Sequence, residues 1–297
     1  MTLKSRIQCQ NTPVQRLCNL EGFEFYIKRD DKTFATFGTK LRKLSGLLKH
    51  LENQNAKTVL LFGNPHSNYM ATFTYMLYLN AYNIVSLHTT KNPKLVTVNS
   101  ILSKKYSHHS LHCNSKEEIH KKIQIFQNKI ANIFLVPEFG IHESSYQGIG
   151  SLWKEVDSYE QKFDYIFLDA GSGLTLTSAL EHYKTLPTKV ISVAIGNKPD
   201  KLKEELKALS FKLSKRNIQE YDFELISPAI TPGFSKTSYS LSNFIKDFWK
   251  EFTLPLEPVY SGKSIYTLIQ YIREKKPKGR GIYIHQGGLL NHVLYCL

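Results

Sequence analysis

Two short stretches hold residue types that could do chemistry. The first is Gly171-Ser172-Gly173-Leu174-Thr175. Glycines let a backbone turn sharply, so successive N–H groups can converge on one point. The apolar run ahead of it predicts a strand, and the run behind predicts a helix, whose N-terminus adds the positive end of its dipole. Ser172 and Thr175 add hydroxyls. Such a loop suits a single phosphate group. It lacks the GK[ST] of a nucleotide triphosphate loop and the third spaced glycine of a dinucleotide fingerprint. On these residues alone, a tight βα turn without a ligand is an equal alternative.

The second stretch is centred on Lys40, just after Gly38-Thr39. Leu41, Leu44, Leu48 and Leu51 fall on one helical face, which puts Lys40 at a helix start. There the macrodipole opposes an ammonium ion and favours the neutral amine that a lysine nucleophile needs. The residues alone also allow an ordinary solvated lysine.

Other features carry less. His108-His109 and His112-Cys113 form the densest metal-like patch, but a metal site needs ligands converging from fixed elements; a solvated surface loop is expected, and no metal. Cys9, Cys18, Cys113 and Cys296 are scattered without a CxxC pair, which predicts free thiols in a reducing compartment. The 297 residues carry a formal net charge of +14. The lysines are spread along the chain, with no Arg-rich arm, zinc finger or RNP-like signature. Nucleic-acid binding is therefore not expected as the main function; the charge fits a merely basic chain, which could handle small anions, or simple background composition. No run reaches membrane-span length and Met1 to Gln10 has no apolar signal region, so a soluble, cytoplasmic protein is expected.

The elements around these residues follow a βαβα rhythm. Strands are expected at Thr58 to Phe62, Asn83 to His88, Ser110 to Cys113, Asn132 to Val136, Tyr165 to Asp169, Val190 to Ala194, Tyr221 to Ile226 and Gly281 to His285. Helices are expected at Lys40 to Leu51, Ser67 to Leu79, Lys116 to Ile130, Leu174 to Tyr183, Asp200 to Lys215, Thr237 to Glu251 and Ser264 to Glu274. This alternation predicts an α/β protein with two open, twisted, mainly parallel sheets carrying helices on both faces.

Seven segments, in order, resemble the 1-aminocyclopropane-1-carboxylate deaminase/D-cysteine desulfhydrase family, within the fold type II (tryptophan synthase β-like) pyridoxal-phosphate enzymes. Thr12 to Leu17 resembles TPLxxL, and Ile27 to Asp31 resembles the KRED/KRDD segment. Phe37 to Leu44 resembles GGNKxRKL, whose first lysine forms a Schiff base with the cofactor. Gly63 to Asn68 resembles GGxxSN, and Gly171 to Thr175 resembles GSGGT. Leu256 to Lys263 resembles LDPVYTGK, and Ile284 to Gly288 resembles IHTGG. The resemblance implies pyridoxal 5'-phosphate as cofactor, with Lys40 binding it and later moving the α-proton. It implies Asn68 on the phenolic oxygen and Ser67 beside the substrate carboxylate or assisting proton transfer. It assigns the phosphate to Gly171, Ser172, Gly173, Leu174 and Thr175, and places Tyr260 near the substrate. Ser261 and Gln286 fall at positions that approach the cofactor, the latter near its pyridine nitrogen. It further implies a homodimer and a larger cofactor domain of residues 1–43 and 149–297. A smaller domain of residues 44–148 is inserted into it, with cofactor between the two and the small domain closing on substrate.

The chain departs from the family pattern at four places. Thr39 replaces Asn, Leu174 replaces Gly, Gln286 replaces Thr, and Phe234 replaces the Tyr of PGYG. Ring-opening deaminases carry Glu after the tyrosine of LDPVYTGK, whereas Ser261 is closer to the Thr of desulfhydrases. A neutral amide at the pyridine nitrogen is expected to leave it less protonated. The expected reaction is β-elimination from D-cysteine to pyruvate, ammonia and sulfide. Alternatives are 1-aminocyclopropane-1-carboxylate deamination, another D-amino-acid lyase or racemase, a degenerate cofactor-binding relative, and a basic nucleic-acid-binding protein.

Overall fold

The computed structural model describes residues 11–291. They divide into two compact units, residues 40–148 and residues 11–39 with 149–291.

The larger unit is built on a six-stranded sheet of order β1-β2-β10-β7-β8-β9. The strands are β1 Val14–Leu20, β2 Phe23–Lys28, β7 Tyr165–Ala170, β8 Lys189–Ala194, β9 Phe223–Ile226 and β10 Arg280–Ile284. All neighbours are parallel except β1, which pairs antiparallel with β2. The central strands read as near-continuous apolar runs because helices cover the sheet. On one side a core containing Phe25, Phe167, Ile191 and Tyr283 packs with Ile245 and Phe248 of α8 (Tyr239–Phe252) and Ile265 and Leu268 of α9 (Ser261–Lys275). Helices α6 (Leu174–Tyr183) and α7 (Pro199–Ser214) complete the βα repeats. In lysine-rich α7, Leu202, Leu206 and Leu209 are buried as their spacing predicted.

The smaller unit holds a four-stranded parallel sheet of order β5-β4-β3-β6. Its strands are β3 Thr58–Gly63, β4 Asn83–His88, β5 His109–His112 and β6 Ile133–Leu135. Its helices are α1 (Thr39–Asn53, from Lys40 onward), α2 (Asn68–Leu79), α3 (Val98–Lys105) and α4 (Lys116–Lys129). Helix α5, Glu143–Asp157, begins in this unit and ends in the larger one. An added Cβ at Gly46 would lie 1.9 Å from the Ser144 carbonyl, so α1 and the start of α5 approach backbone to backbone.

Three differences from the sequence expectation are physical. The hairpin β1–β2 turns on Glu21 (φ 50°) and Gly22 (φ 93°), without the Asn-Gly or Asp-Gly signal that marks such turns. Helix α5 carries Gly148 and Gly150, which lower its propensity, and is held by packing of Ile149, Leu152, Trp153 and Val156. The strand expected at Ser110 to Cys113 is found as the edge strand His109–His112, so the His/Cys patch is not a solvated loop, and Cys113 behind it is buried. Of the cysteines, Cys18 and Cys113 are free thiols, while Cys9 and Cys296 lie outside the described residues. Burial and the nearby Glu251 push the Cys18 thiol up to about 11. No helix among the described residues is long and apolar enough to cross a membrane.

Candidate functional site

The segments that carried the resemblance fall into structural ties and groups whose chemistry suits a reaction. Thr12 Oγ1 donates to Asp30 at 2.6 Å, and Arg29 donates its backbone N–H to the Pro13 carbonyl at 2.9 Å. Arg29 also grips Asp31 in a two-point pair at 2.8 and 2.7 Å. Lys28 meets Glu155 at 2.6 Å. These contacts tie the start of the larger unit together, with Lys28 facing Glu155 and Arg29 facing Asp31 as opposite charges.

In the larger unit, β7 runs into Gly171-Ser172-Gly173 and then α6. Gly173 takes φ +81°, a left-handed conformation natural only to glycine, and an added Cβ would lie 2.7 Å from Leu206 Cδ2. No side chain caps the start of α6. Its first amides are thus left to a ligand or solvent. This answers whether the loop fits a phosphate: an uncapped helix start entered through a left-handed glycine is a cradle of N–H donors. Leu174, where the family pattern has glycine, buries its side chain in the core and keeps its N–H in the helix start. Close by, the Tyr260 ring lies on Gly171: an added Cβ there would meet Tyr260 Cε1 at 3.2 Å and Oη at 3.4 Å. Phe234 stands edge-on to the same ring at 5.9 Å between centroids. Burial holds the Tyr260 phenol well above its usual range, so it stays protonated and able to donate.

Glu257 begins the loop into α9. Its carboxylate accepts the N–H groups of Val259 at 2.8 Å, Tyr260 at 2.7 Å and Ser261 at 2.7 Å. The Ser261 hydroxyl in turn accepts the Glu257 N–H at 2.8 Å. This box sets Tyr260 and largely occupies Ser261. Burial pushes the Glu257 carboxyl up despite those donors, and Asp169 adds to the effect. Lys263, fully buried, donates to the Gly233 carbonyl at 2.7 Å and so ties the Phe234 loop to α9. Burial lowers its pKa.

Beyond β10, the Gln286 amide donates to the Asp169 carbonyl at 2.6 Å and to Asp169 Oδ2 at 3.0 Å. Gln286 Oε1 accepts from Thr39 Oγ1 at 3.2 Å. The other Asp169 oxygen accepts from Tyr283 Oη at 2.7 Å. Sequence reading singled out neither Asp169 nor Glu257. The signal available was a carboxylate ending an otherwise apolar strand immediately before the glycine loop.

In the smaller unit, Lys40 lies in the first turn of α1, which has no acidic residue. Ser67 caps α2, accepting the Met70 N–H at 3.2 Å, and Asn68 is the first residue of that helix. Asn99 donates to Asn68 Oδ1 at 2.8 Å and to the His66 carbonyl at 2.9 Å. The Asn68 carbonyl end is thereby engaged, and its amino end is directed to donate.

Among solved structures, the chain matches an ACC deaminase homologue with a TM-score of 0.82 at 23% identity, covering 95% of this chain and 90% of that one. It matches serine racemase from Dictyostelium discoideum with a TM-score of 0.71 at 18% identity, covering 95% and 94%. This is the fold of the fold type II pyridoxal-phosphate enzymes. No family model matches the chain. The bifunctional D-cysteine desulfhydrase/1-aminocyclopropane-1-carboxylate deaminase of Arabidopsis thaliana mitochondria is 30% identical over 94% of this chain and 76% of its own length. The chain belongs to the D-cysteine desulfhydrase/1-aminocyclopropane-1-carboxylate deaminase family of pyridoxal-phosphate-dependent enzymes.

Proposed function

We propose that this chain is a pyridoxal-phosphate-dependent lyase that eliminates the thiol of D-cysteine, releasing pyruvate, ammonia and sulfide. The observation that carries the reading is the uncapped glycine loop with Tyr260 lying on Gly171. It sets an anion cradle beside a protonated phenol, in a chain of this family.

When bound, the cofactor supplies an electron sink for charge that develops at the substrate α-carbon. Lys40 would hold the cofactor through its Nζ and would also serve to move the α-proton of the substrate. The amides of Gly171, Ser172, Gly173, Leu174 and Thr175 hold the phosphate, with the Ser172 and Thr175 hydroxyls as further donors. Asn68 donates to the phenolic oxygen from the amino end that Asn99 leaves available. Ser67 meets the substrate carboxylate. Tyr260 Oη, kept protonated by its burial, donates toward the leaving sulfur. Ser261, held by Glu257, sets the start of α9 that carries Tyr260, and Gln286 would meet the pyridine nitrogen, as the family resemblance implies.

The catalytic set is therefore Lys40, Ser67 and Tyr260. The larger unit acts as the cofactor domain and the smaller as the inserted domain. By resemblance the enzyme works as a homodimer on a small amino-acid substrate. The test is direct: holoenzyme incubated with D-cysteine yields pyruvate and sulfide in equal amounts. Release of α-ketobutyrate from 1-aminocyclopropane-1-carboxylate with no sulfide from D-cysteine would overturn the choice of substrate.

A further inference from the structure

Two residues that depart from the family pattern, Thr39 and Gln286, are bonded to each other, and a third group explains what they do. Gln286 is 7% exposed, and its backbone is clamped: the Thr39 N–H donates to its carbonyl at 3.2 Å. An added Cβ at Gly38 would fall 1.8 Å from that carbonyl oxygen, so the two segments touch backbone to backbone. The side-chain amide has two N–H donors and two carbonyl lone pairs. Its nitrogen lies 2.6 Å from the Asp169 carbonyl and 3.0 Å from Asp169 Oδ2. A backbone carbonyl can only accept, so the amide cannot be turned over. Turning it would set oxygen against oxygen at both contacts. The two amino protons are therefore spent on Asp169, and Thr39 takes one lone pair of Oε1 at 3.2 Å. What Gln286 has left is one lone pair.

A neutral pyridine nitrogen also presents a lone pair, and would be repelled there. A protonated one would be held. Donation into the buried Asp169 carboxylate also polarises the amide and strengthens its oxygen as an acceptor. We propose that Asp169 fixes Gln286 as an acceptor only, so that this chain holds the pyridine nitrogen of its cofactor in the protonated state. The inference rests on the reading above that Gln286 meets that nitrogen. It reverses what a freely turning amide would do. Asp169 is a positioning residue, acting through Gln286.

The test is nitrogen NMR of holoenzyme loaded with pyridoxal phosphate labelled with nitrogen-15 in the ring, at mildly alkaline pH. The wild type is expected to resonate at the protonated-pyridine position. Gln286→Thr restores a hydroxyl that can donate, and is expected to move the resonance toward neutral pyridine. Asp169→Asn is expected to move it the same way by a smaller amount, and serves if Gln286→Thr does not fold. Thr39→Val removes only the bond to Oε1 and is expected to leave the resonance at the protonated position. A neutral-pyridine resonance in the wild type, or one that neither Gln286→Thr nor Asp169→Asn moves, overturns the inference while leaving the cofactor reading intact. A folded wild type that binds no labelled cofactor overturns both.

Discussion

The ring of Tyr260 lies on the α-carbon of Gly171, close enough that a methyl group at residue 171 would meet Cε1 at 3.2 Å. The first glycine of the phosphate loop is thus fixed by what packs over it rather than by an unusual backbone angle. Gly171→Ala is expected to fold with little loss of stability while displacing the Tyr260 ring by a few tenths of an ångström. Turnover should fall by about tenfold or more, because small misplacements of reacting groups are costly. Steady-state kinetics beside a melting curve checks this; an unchanged rate would show that Tyr260 does not contribute.

Gly173 is the opposite case. Its φ of +81° and the 2.7 Å approach to Leu206 Cδ2 both exclude a side chain. Gly173→Ala is expected to destabilise the larger unit by about 1–3 kcal/mol. Chemical denaturation of the cofactor-free protein measures it, and a loss below a few tenths would contradict the loop geometry.

His88 closes β4 in the smaller unit, fully buried, with neither ring nitrogen partnered among the described residues. Burial first, then Lys104, His112 and His66, lower its pKa from 6.5 to about 4. Between those values the unfolded chain is protonated at this site and the folded one is not. Stability present above pH 6.5 is therefore lost as pH falls toward 4, by up to about 3 kcal/mol. His88→Leu should flatten the pH–stability curve over that window. A wild-type curve with no slope there would contradict the assignment.

Phe234 is half exposed and edge-on to Tyr260. Restoring the family hydroxyl as Phe234→Tyr should leave stability unchanged and raise kcat/KM for D-cysteine by up to about tenfold, the scale of one net hydrogen bond. No gain would remove this position from the substrate side.

Sequence reading reached the parts of the fold that depend on local pattern. Strand Asn83–His88 and helix Leu174–Tyr183 fall where their apolar runs predict. The left-handed Gly173 was implicit in the glycine loop. What depends on distant partners was not legible. The β1–β2 hairpin is held by pairing with β10, far along the chain. Helix α5 forms around buried Trp153 despite its glycines. At the site, Lys40, Asn68 and Tyr260 came from motif resemblance. Asp169 was missed because its partners, Tyr283 and Gln286, lie more than a hundred residues away. Thr39 and Gln286 read separately as departures, and only their 3.2 Å contact makes them one arrangement.

The proposed mechanism turns on Lys40 carrying the cofactor. Visible spectra of wild type and Lys40→Ala, each purified with added pyridoxal phosphate, test it most directly. Wild type is expected to show the visible band of a protein-bound imine, D-cysteine to shift this band as pyruvate accumulates, and Lys40→Ala to lack the band while keeping its fold. A colourless wild type, or a Lys40→Ala protein with the same band and the same turnover, would contradict it.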